Sequence, residues 1–264
     1  MHPRRFKGWP NRILVTVLYL FLLAPILVVL GISFDSQSNM AFPPKGFSLQ
    51  WYEKLAHNQE FITGFKVSVI TAGGVALLAL LIGVPVALAI TRYDFPGKDG
   101  LSGFFLSPLL VPAIVLGLAL LLVLSPLKIT GTYAGLIVAH LSITTPYVIR
   151  TSSMSLLTLN RSCEEAARPL GASSWTTFRR VTLPLISSGV LAGGVIAFLI
   201  SFDEAVISLF VVGPQATTLP VEIFHYVETR TDPQIAALSV VLIAISIAFV
   251  VVIERVMGLK RVLR

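Results

Sequence analysis

The chain has 264 residues, of which 55% are hydrophobic and 12% charged, and its mean hydropathy is +0.85. Soluble domains carry about a quarter charged residues, so this composition excludes an ordinary water-soluble domain and indicates an integral membrane protein. The single cysteine, Cys163, excludes an internal disulfide framework and a multi-cysteine metal site. The net charge of +7 would fit nucleic acid or an anionic surface as partner, unless the charges have another role.

Six apolar segments follow one another along the chain, each close to the ~20 residues that cross a bilayer as a helix. They are Ile13–Ile32, Val67–Ile90, Phe104–Leu124, Thr132–Ile149, Leu185–Ile207 and Ile235–Ile253. The fourth is the most polar, because it contains His140, Ser142, Thr144 and Thr145. The sequence therefore predicts an all-α membrane protein with six transmembrane helices in a single domain, residues 1–264.

The first segment follows basic residues, as the apolar core of a secretory signal peptide does. It is longer than the usual core of 7–15 residues, and "GISFDSQ" after it offers no good small-x-small cleavage site. We therefore expect an uncleaved first helix.

The basic residues orient the predicted helices, because cytoplasmic loops of membrane proteins are enriched in Lys and Arg. With a cytoplasmic N-terminus, fifteen of them lie inside: Arg4, Arg5, Lys7, Arg12, Arg92, Lys98, Arg150, Arg161, Arg168, Arg179, Arg180, Arg255, Lys260, Arg261 and Arg264. Five lie outside: Lys45, Lys54, Lys66, Lys128 and Arg230. Both termini are thus predicted to be cytoplasmic, and the basic charge sets topology, so no nucleic-acid partner is expected.

This topology divides the polar segments between the two sides. Residues 1–12 form a cytoplasmic N-terminus and residues 150–184 a long cytoplasmic loop between helices 4 and 5. Residues 33–64 and 208–234 form external loops.

The long cytoplasmic loop contains "CEEAARPLGASSWTTFRRVTLPL", which predicts two short helices joined by a turn. Ser162 and Glu165 have the spacing of a capping box at the start of the first helix, and Glu164 adds a second acid where the helix dipole favours one. Pro169 disfavours continued helix, and Gly171 suits a sharp reversal.

The second short helix is predicted to start near Ser173 or Ser174 and to carry Trp175 and Phe178 on one exposed face. Leu183-Pro184 then opens the fifth membrane segment. Exposed aromatic side chains on a polar loop indicate a docking surface for a partner protein. The residues alone equally allow a re-entrant loop that packs under the helix bundle.

A family resemblance favours the docking surface over the re-entrant loop. Glu165-Ala166-Ala167, three residues, Gly171, nine residues and then Val181-x-Leu183-Pro184 resembles the E-A-A-x3-G-x9-I-x-L-P signature of ABC importer permeases, with Val181 in place of Ile. Many members have a residue other than proline at the position of Pro169, so the first helix is expected to be short or kinked.

In that family the loop is a coupling helix, which inserts into a groove on a cytoplasmic ATPase subunit. The resemblance implies that loss of Glu165 or Gly171 uncouples ATP hydrolysis from transport. The residues that it assigns to ATPase coupling are Glu165, Ala166, Ala167, Gly171, Trp175, Phe178, Leu183 and Pro184.

The resemblance also implies partners and a location. The chain lacks the G-x-x-x-x-G-K-[ST] phosphate loop, since "FPGKDG" has neither the first glycine nor the hydroxyl. No cofactor is expected on this chain, because ATP and Mg²⁺ would be bound by the partner ATPase. The implied assembly is a multi-pass complex of the bacterial inner membrane with two ATP-binding subunits, a second, non-identical permease subunit and an external solute-binding protein.

Further segments resemble the spermidine/putrescine-type permeases within this family. They are "GFSLQWYEKL", "SFDEAVISLFVVGP" and "TLPVEIFHYVETRTDPQIAALS". The resemblance implies a polyamine or a related small cation as cargo. Other members of the family carry opines, phosphonates, thiamine or ferric iron, and these remain alternatives.

Asp203 and Glu204 are the candidate residues of the substrate pathway. At 1.5 Å per residue, Asp203 lies ~27 Å along a helix that begins near Leu185, which places the pair toward its outer end. Carboxylates at membrane depth normally face a bundle interior or an aqueous cavity, where they would attract a cation. The alternatives are an exposed rim or an ion pair with Arg230 or Lys128. The other external acids, Glu222, Glu228 and Asp232, are more simply part of a solvated face.

The remaining polar and small residues of the apolar segments favour packing. Gly189-x-x-x-Gly193 predicts a close helix approach, with the second permease subunit as one possible partner. His140 and Tyr147 are predicted to be buried polar groups that bond to neighbouring helices.

Two other classes of function fit the sequence less well. A membrane enzyme would need a nucleophile–base pair or a metal-ligand cluster, and the four histidines, His2, His57, His140 and His225, are scattered, so an enzyme is not predicted. A channel or secondary transporter that works alone would give no reason for the E-A-A loop.

Overall fold

The computed structural model describes residues 9–167 and 169–257. Arg4, Arg5, Lys7, Arg168, Lys260, Arg261 and Arg264, which contribute to the predicted charge bias, lie outside the described residues. The described chain is helical, with one isolated bridge between Gly213 and Ala216 and no named strand. Its helices are α1 (Trp9–Ile32), α2 (Gln50–His57), α3 (Gln59–Arg92), α4 (Lys98–Leu106), α5 (Ala113–Leu124), α6 (Tyr133–Thr158), α7 (Ser162–Glu165), α8 (Ser174–Thr177), α9 (Leu183–Leu185), α10 (Ser187–Asp203), α11 (Val206–Val211), α12 (Leu219–Thr229) and α13 (Gln234–Met257).

Three described helices are long and apolar enough to cross a membrane by themselves: Asn11–Ile32, Gln59–Arg92 and Gln234–Arg255. Two bent pairs would raise the number to five if each is one span, namely Lys98–Leu110 with Ala113–Leu124 and Ser174–Leu185 with Ser187–Asp203. The predicted all-helical membrane architecture is therefore confirmed. The predicted count of six spans is not established by these helices.

The third and fifth predicted segments are not single straight helices. The first pair bends by 111°, where a 3₁₀ turn at Ser107–Leu110 ends and extended backbone at Val111 leads to Pro112 before α5. The predicted segment Phe104–Leu124 spans this bend. The predicted segment Leu185–Ile207 is interrupted at Glu204, whose extended backbone ends α10 before α11 begins.

One compact unit comprises residues 1–59 and 225–264. In its described part, α1 exposes most of its apolar side chains, which fits a helix solvated by lipid. The segment after α1 is fastened to α2 by polar contacts. The buried Trp51 donates from Nε1 to the Asp35 carbonyl at 2.7 Å, and the Ser33 and Tyr52 hydroxyls lie 2.8 Å apart.

The same unit contains a polar cluster between the last turns of α12 and the start of α13. The Tyr226 hydroxyl lies 2.9 Å from the Asp232 carboxylate oxygens and 2.8 Å from the Gln234 side-chain oxygen. Burial and the hydrogen bond to Asp232 raise the pKa of Tyr226 to about 12, so this phenol stays neutral and donates at physiological pH.

The other unit comprises residues 60–224, and α6 lies at its centre. One face of α6 packs against α10 at very short range. A Cβ on Gly193 of α10 would come within 3.1 Å of the Val148 Cα and would collide with the Thr151 hydroxyl, and one on Gly189 would collide with Ser155. The two glycines therefore serve packing within this chain, so the suggested contact with a second subunit is not needed to explain them.

The polar residues of α6 are tolerated because the helix satisfies them itself. The hydroxyls of Ser142, Thr144 and Thr145 donate to the carbonyls three or four residues earlier, at 2.6–2.9 Å. These residues make the fourth predicted segment, Thr132–Ile149, the most polar, and the structure has it as a helix that continues to Thr158. The predicted start of the cytoplasmic loop at residue 150 therefore lies inside α6.

Candidate functional site

The α6–α10 loop, residues 159–186, begins with the single turn of α7. The side-chain oxygen of Asn160 accepts the Ser162 N–H at 3.0 Å, and Ser162 is the first residue of the helix. The predicted capping box between Ser162 and Glu165 is wrong, because Asn160 lies two residues earlier and satisfies the free N–H first. The side chain of Glu165 is consequently left free of a capping role and is exposed.

The chain reverses at Gly171, which has φ +80°. The Ala172 N–H donates to the Ala167 carbonyl at 3.2 Å, a bond that spans five residues and closes the turn as a Schellman motif does. A Cβ on Gly171 would meet open space, so the glycine is required by backbone conformation and not by crowding. The predicted reversal is confirmed.

The second short helix, α8, starts where the sequence predicts it. Ser173 caps it, since its hydroxyl accepts the Thr176 N–H at 3.2 Å. The rings of Trp175 and Phe178 lie 5.7 Å apart, but they are not both exposed. Trp175 is 68% exposed, whereas Phe178 packs against the core cluster that contains Val148. The prediction of two exposed aromatic residues is therefore wrong for Phe178.

The chain returns to the bundle through a π-helical turn, Phe178–Thr182, and then α9. Leu183 is half-buried and Pro184 is exposed, with Pro184 in the first turn, where its missing N–H costs nothing. This segment bends by 74° relative to α10. The Leu-Pro pair thus marks the corner between the loop and the bundle.

The loop and the end of α3 line an open cavity of about 400 Å³. Two polar contacts join its walls: Arg92 Nε lies 2.8 Å from a Glu164 carboxylate oxygen, and Arg161 donates to the Thr91 carbonyl at 3.0 Å. Of the predicted coupling residues, only Glu165 and Phe178 line this cavity. Arg92 is not among the predicted site residues, because its only signal in the sequence is a cation at the end of a long apolar segment.

The other predicted coupling residues do not line the cavity. Ala166 is exposed and Ala167 half-buried, so the E-A-A tripeptide presents little bulk around Glu165. Leu170, beside Gly171, is 87% exposed. Trp175, Leu170 and Glu165 are therefore exposed together on this loop, as two large apolar side chains and one carboxylate at the mouth of the cavity.

The structure separates the roles of Asp203 and Glu204. Asp203 is the last residue of α10 and is exposed. The Glu204 carboxylate is half-buried and accepts the Ile207 N–H at 2.9 Å, so it caps α11. Within the described residues no ion pair joins either acid to Lys128.

His140 of α6 is buried against this helix break. Its ring nitrogens lie 2.8 Å from the Ser201 hydroxyl and 3.0 Å from the Ser208 hydroxyl. Ser208 in turn donates to the Glu204 carbonyl at 2.6 Å. The predicted role of His140 as a buried group bonded to neighbouring helices is confirmed, and it joins α10 to α11 on both sides of the break.

The sequence matches a known family over most of this bundle. The family described as "Binding-protein-dependent transport system inner membrane component" matches residues 79–259, and the chain belongs to it. The predicted membership of the binding-protein-dependent permeases is confirmed.

Curated relatives are similar over nearly the whole chain. The spermidine/putrescine transport system permease protein PotC of Haemophilus influenzae is 36% identical over 89% of this chain and 91% of its own length. The putrescine transport system permease protein PotI of Escherichia coli is 35% identical over 89% and 86%. A putative 2-aminoethylphosphonate transport system permease protein, PhnV of Salmonella typhimurium, is 30% identical over 92% of both chains.

Solved structures share the fold. A chain of a bacterial ABC transporter involved in the import of the acidic polysaccharide alginate superposes with a TM-score of 0.72 at 16% identity, covering 98% of both chains. A chain of the MetNI methionine ABC transporter, in an inward-facing conformation, gives 0.61 at 18% identity over 75% of this chain and 94% of that chain.

Proposed function

We propose that the chain is a transmembrane permease subunit of an ABC importer for polyamines such as spermidine and putrescine. The observation that carries this proposal is the identity of 33–36% to spermidine/putrescine and putrescine permeases over 89–90% of the chain. The subunit moves its cargo without chemical change, and ATP hydrolysis belongs to a separate subunit. It is therefore not an enzyme by itself.

In this proposal residues 1–264 form one permease domain in the bacterial inner membrane, with six spans and both termini in the cytoplasm. Three to five spans have direct support from helix length and composition. The sixth would be α6, whose hydroxyls bond to their own helix and so lower the cost of burial in a bilayer. The asymmetry of Lys and Arg supports the orientation.

The α6–α10 loop is the proposed coupling element. Glu165, Gly171 and Trp175 would engage a groove on a cytoplasmic ATP-binding subunit, of which the complex holds two copies. Ala166 and Ala167 permit close approach, and Leu183 and Pro184 set the corner that joins the loop to α10. Phe178 packs the loop onto the bundle, which supports a transmitting role for it and not a docking role.

The proposed substrate pathway passes the break between α10 and α11. Transporters commonly place cargo sites at discontinuous helices inside the bundle. Asp203 is the better candidate for a cation, because it is exposed and the carboxylate of Glu204 already caps α11. A second, non-identical permease subunit would complete the pathway, and an external solute-binding protein would deliver the cargo.

Uptake in a strain that lacks its own polyamine importers tests the cargo. The complete transporter should import labelled spermidine or putrescine, and the Asp203→Asn variant should lose most of that uptake. A second candidate cargo, 2-aminoethylphosphonate, is favoured by the similarity to PhnV and serves as the competing substrate. Import of the phosphonate without the polyamines would refute the polyamine assignment and leave the permease assignment intact.

A further inference from the structure

We propose that Glu164, the acid immediately before the E-A-A tripeptide, is the positioning residue that fastens the α6–α10 loop to α3 through Arg92. This inference rests on the proposed coupling function and adds to it a defined mechanical link inside the chain. Glu164 and Glu165 are adjacent and both line the cavity, yet Glu165 is exposed whereas the side chain of Glu164 is largely buried. Glu165 is presented to the partner, and Glu164 passes the movement of the loop to the helix bundle.

The closeness and the burial of the two charges support this assignment. Arg92 is the last residue of α3, and its Nε lies 2.8 Å from a carboxylate oxygen of Glu164. The side chain of Arg92 is only 10% exposed and that of Glu164 only 16% exposed. Because both charges are largely removed from water, their attraction is screened far less than that of a surface pair.

Glu164 also contacts the segment through which the loop returns to α10. Its other carboxylate oxygen accepts the Thr182 hydroxyl at 2.8 Å, and Thr182 is buried at the end of the π-helical turn before α9. One carboxylate therefore joins three elements: α7, the end of α3 and the segment that leads into α10. No other acid of the described loop makes contacts of this kind.

The cavity makes this link important. A pocket of about 400 Å³ lies between the loop and the end of α3, so the two walls are not closely packed there, and Phe178 packs the loop against the core cluster that contains Val84 and Val148. The Glu164–Arg92 pair crosses between the walls. The contact between Arg161 and the Thr91 carbonyl is a second crossing, but Arg161 is itself exposed and its bond is to a backbone atom.

The chain offers a matched control on the same connection. Asp94 and Lys98 form an ion pair at 3.0 Å just beyond α3, with the Asp94 side chain fully exposed. That pair lies within a single turn, so it links no separate elements. Exposed pairs of this type contribute little, and their removal should leave both assembly and coupling unchanged.

The test uses the complete transporter with its ATPase and second permease, reconstituted in liposomes with its solute-binding protein. Four versions are compared with wild type: Glu164→Gln, Arg92→Gln, the reversed pair Glu164→Arg with Arg92→Glu, and the control Asp94→Asn with Lys98→Gln. Glu164→Gln keeps the size of the side chain and an oxygen for Thr182. Each version is measured for bound ATPase, for ATP hydrolysis and for uptake of labelled spermidine.

We expect each single variant to retain the ATPase subunit and to hydrolyse ATP, while uptake per ATP hydrolysed falls about fivefold or more. The reversed pair should recover at least half of the lost ratio, and the control should match wild type. A merely structural role would lower assembly, hydrolysis and uptake together, so the ratio of uptake to hydrolysis separates the two.

Three results would overturn the inference: single variants with the wild-type ratio, a reversed pair no better than the singles, or loss of assembly in singles and reversed pair alike. Failure of the proposed coupling function would look different. In that case wild type itself would hold no ATPase subunit, or would transport without one.

Discussion

The α6–α10 interface and the α6–α10 loop lie next to each other in the chain, and they are held together in different ways. At the interface, Gly189 and Gly193 let two long helices approach until backbone and side-chain atoms fill all the space a Cβ would need. In the loop, two helices of four residues each are held by a few hydrogen bonds, one ion pair and the packing of the Phe178 ring, beside a cavity.

The difference indicates which part of the molecule is rigid and which part can move. Close-packed helices resist displacement, because any shift forfeits many van der Waals contacts at once. A segment fixed by a few polar contacts opens at low cost. The bundle is therefore expected to behave as a rigid body and the loop as its adjustable attachment, which is a suitable division for an element that receives force from a partner.

The largest expected effect is a change in the rigid part. Gly193→Leu forces a side chain against Val148 and Thr151, so we expect the free energy of unfolding to fall by about 1–3 kcal/mol, or more if the helices separate. Gly73→Leu on α3 is the matched control, because a Cβ there meets nothing within 4 Å. Thermal unfolding in detergent measures both. Equal losses in the two variants would contradict the tight interface.

The two aromatic residues of the loop sharpen the comparison. Trp175→Ala should weaken ATPase binding by roughly 2 kcal/mol, about thirtyfold, and leave the melting temperature of the subunit unchanged, because the side chain is exposed. Phe178→Ala should lower the melting temperature, since this ring packs on the bundle. Affinity titration and thermal unfolding of both variants test the assignment. The assignment of docking to Trp175 and of packing to Phe178 fails if both substitutions change the ATPase affinity and the melting temperature in the same way.

The turn of the loop gives a smaller effect. Gly171→Val places a branched side chain at φ +80°, which costs about 1–2 kcal/mol of backbone strain although it collides with nothing. We expect the affinity for the ATPase to fall about tenfold while the bundle remains folded. Gly171→Asn is the control, because asparagine tolerates this conformation better. Similar binding by the valine and asparagine variants would argue against a strained turn.

The smallest effect concerns the helix cap. Ser173→Ala removes the hydroxyl that accepts the Thr176 N–H and should destabilise α8 by about 1 kcal/mol. Ser174→Ala, one residue later, is the control and should be silent. Hydrogen exchange at the Thr176 amide is the measurement, and faster exchange is expected only in the first variant. Unchanged exchange in both would remove Ser173 as the cap.

The sequence predicts the bundle better than the details of the site. Hydropathy is a sum over many residues, so it locates α1 and α13 within a few positions, whereas α3 begins at Gln59, well before the predicted Val67. Breaks depend on single residues: Pro112 lies at a break, just before α5, whereas Pro146 lies within α6, and only tertiary contacts decide between these outcomes.

The errors within the loop arise because nearby groups compete for the same hydrogen-bond donor or the same packing contact. The side-chain oxygen of Asn160 accepts the Ser162 N–H that the Glu165 carboxylate would accept in a capping box. Phe178 packs against the core of the bundle, so its ring is not exposed. The turn at Gly171 and the cap at Ser173 were predictable, because each follows from the chemistry of one residue. The pairing of Glu164 with Arg92 was not, since their separation in the chain carries no local pattern.

The central claim, that the outer surface of the α6–α10 loop docks on an ATPase, can be tested directly through Cys163. It is the chain's single cysteine, it is exposed, and it lies two residues from Glu165. A short thiol-directed cross-linker on Cys163 in native membranes should capture a subunit that contains a nucleotide-binding phosphate loop, and Glu165→Lys with Gly171→Asp should abolish the capture. A wild-type chain that captures no such subunit, yet still transports, would contradict the account.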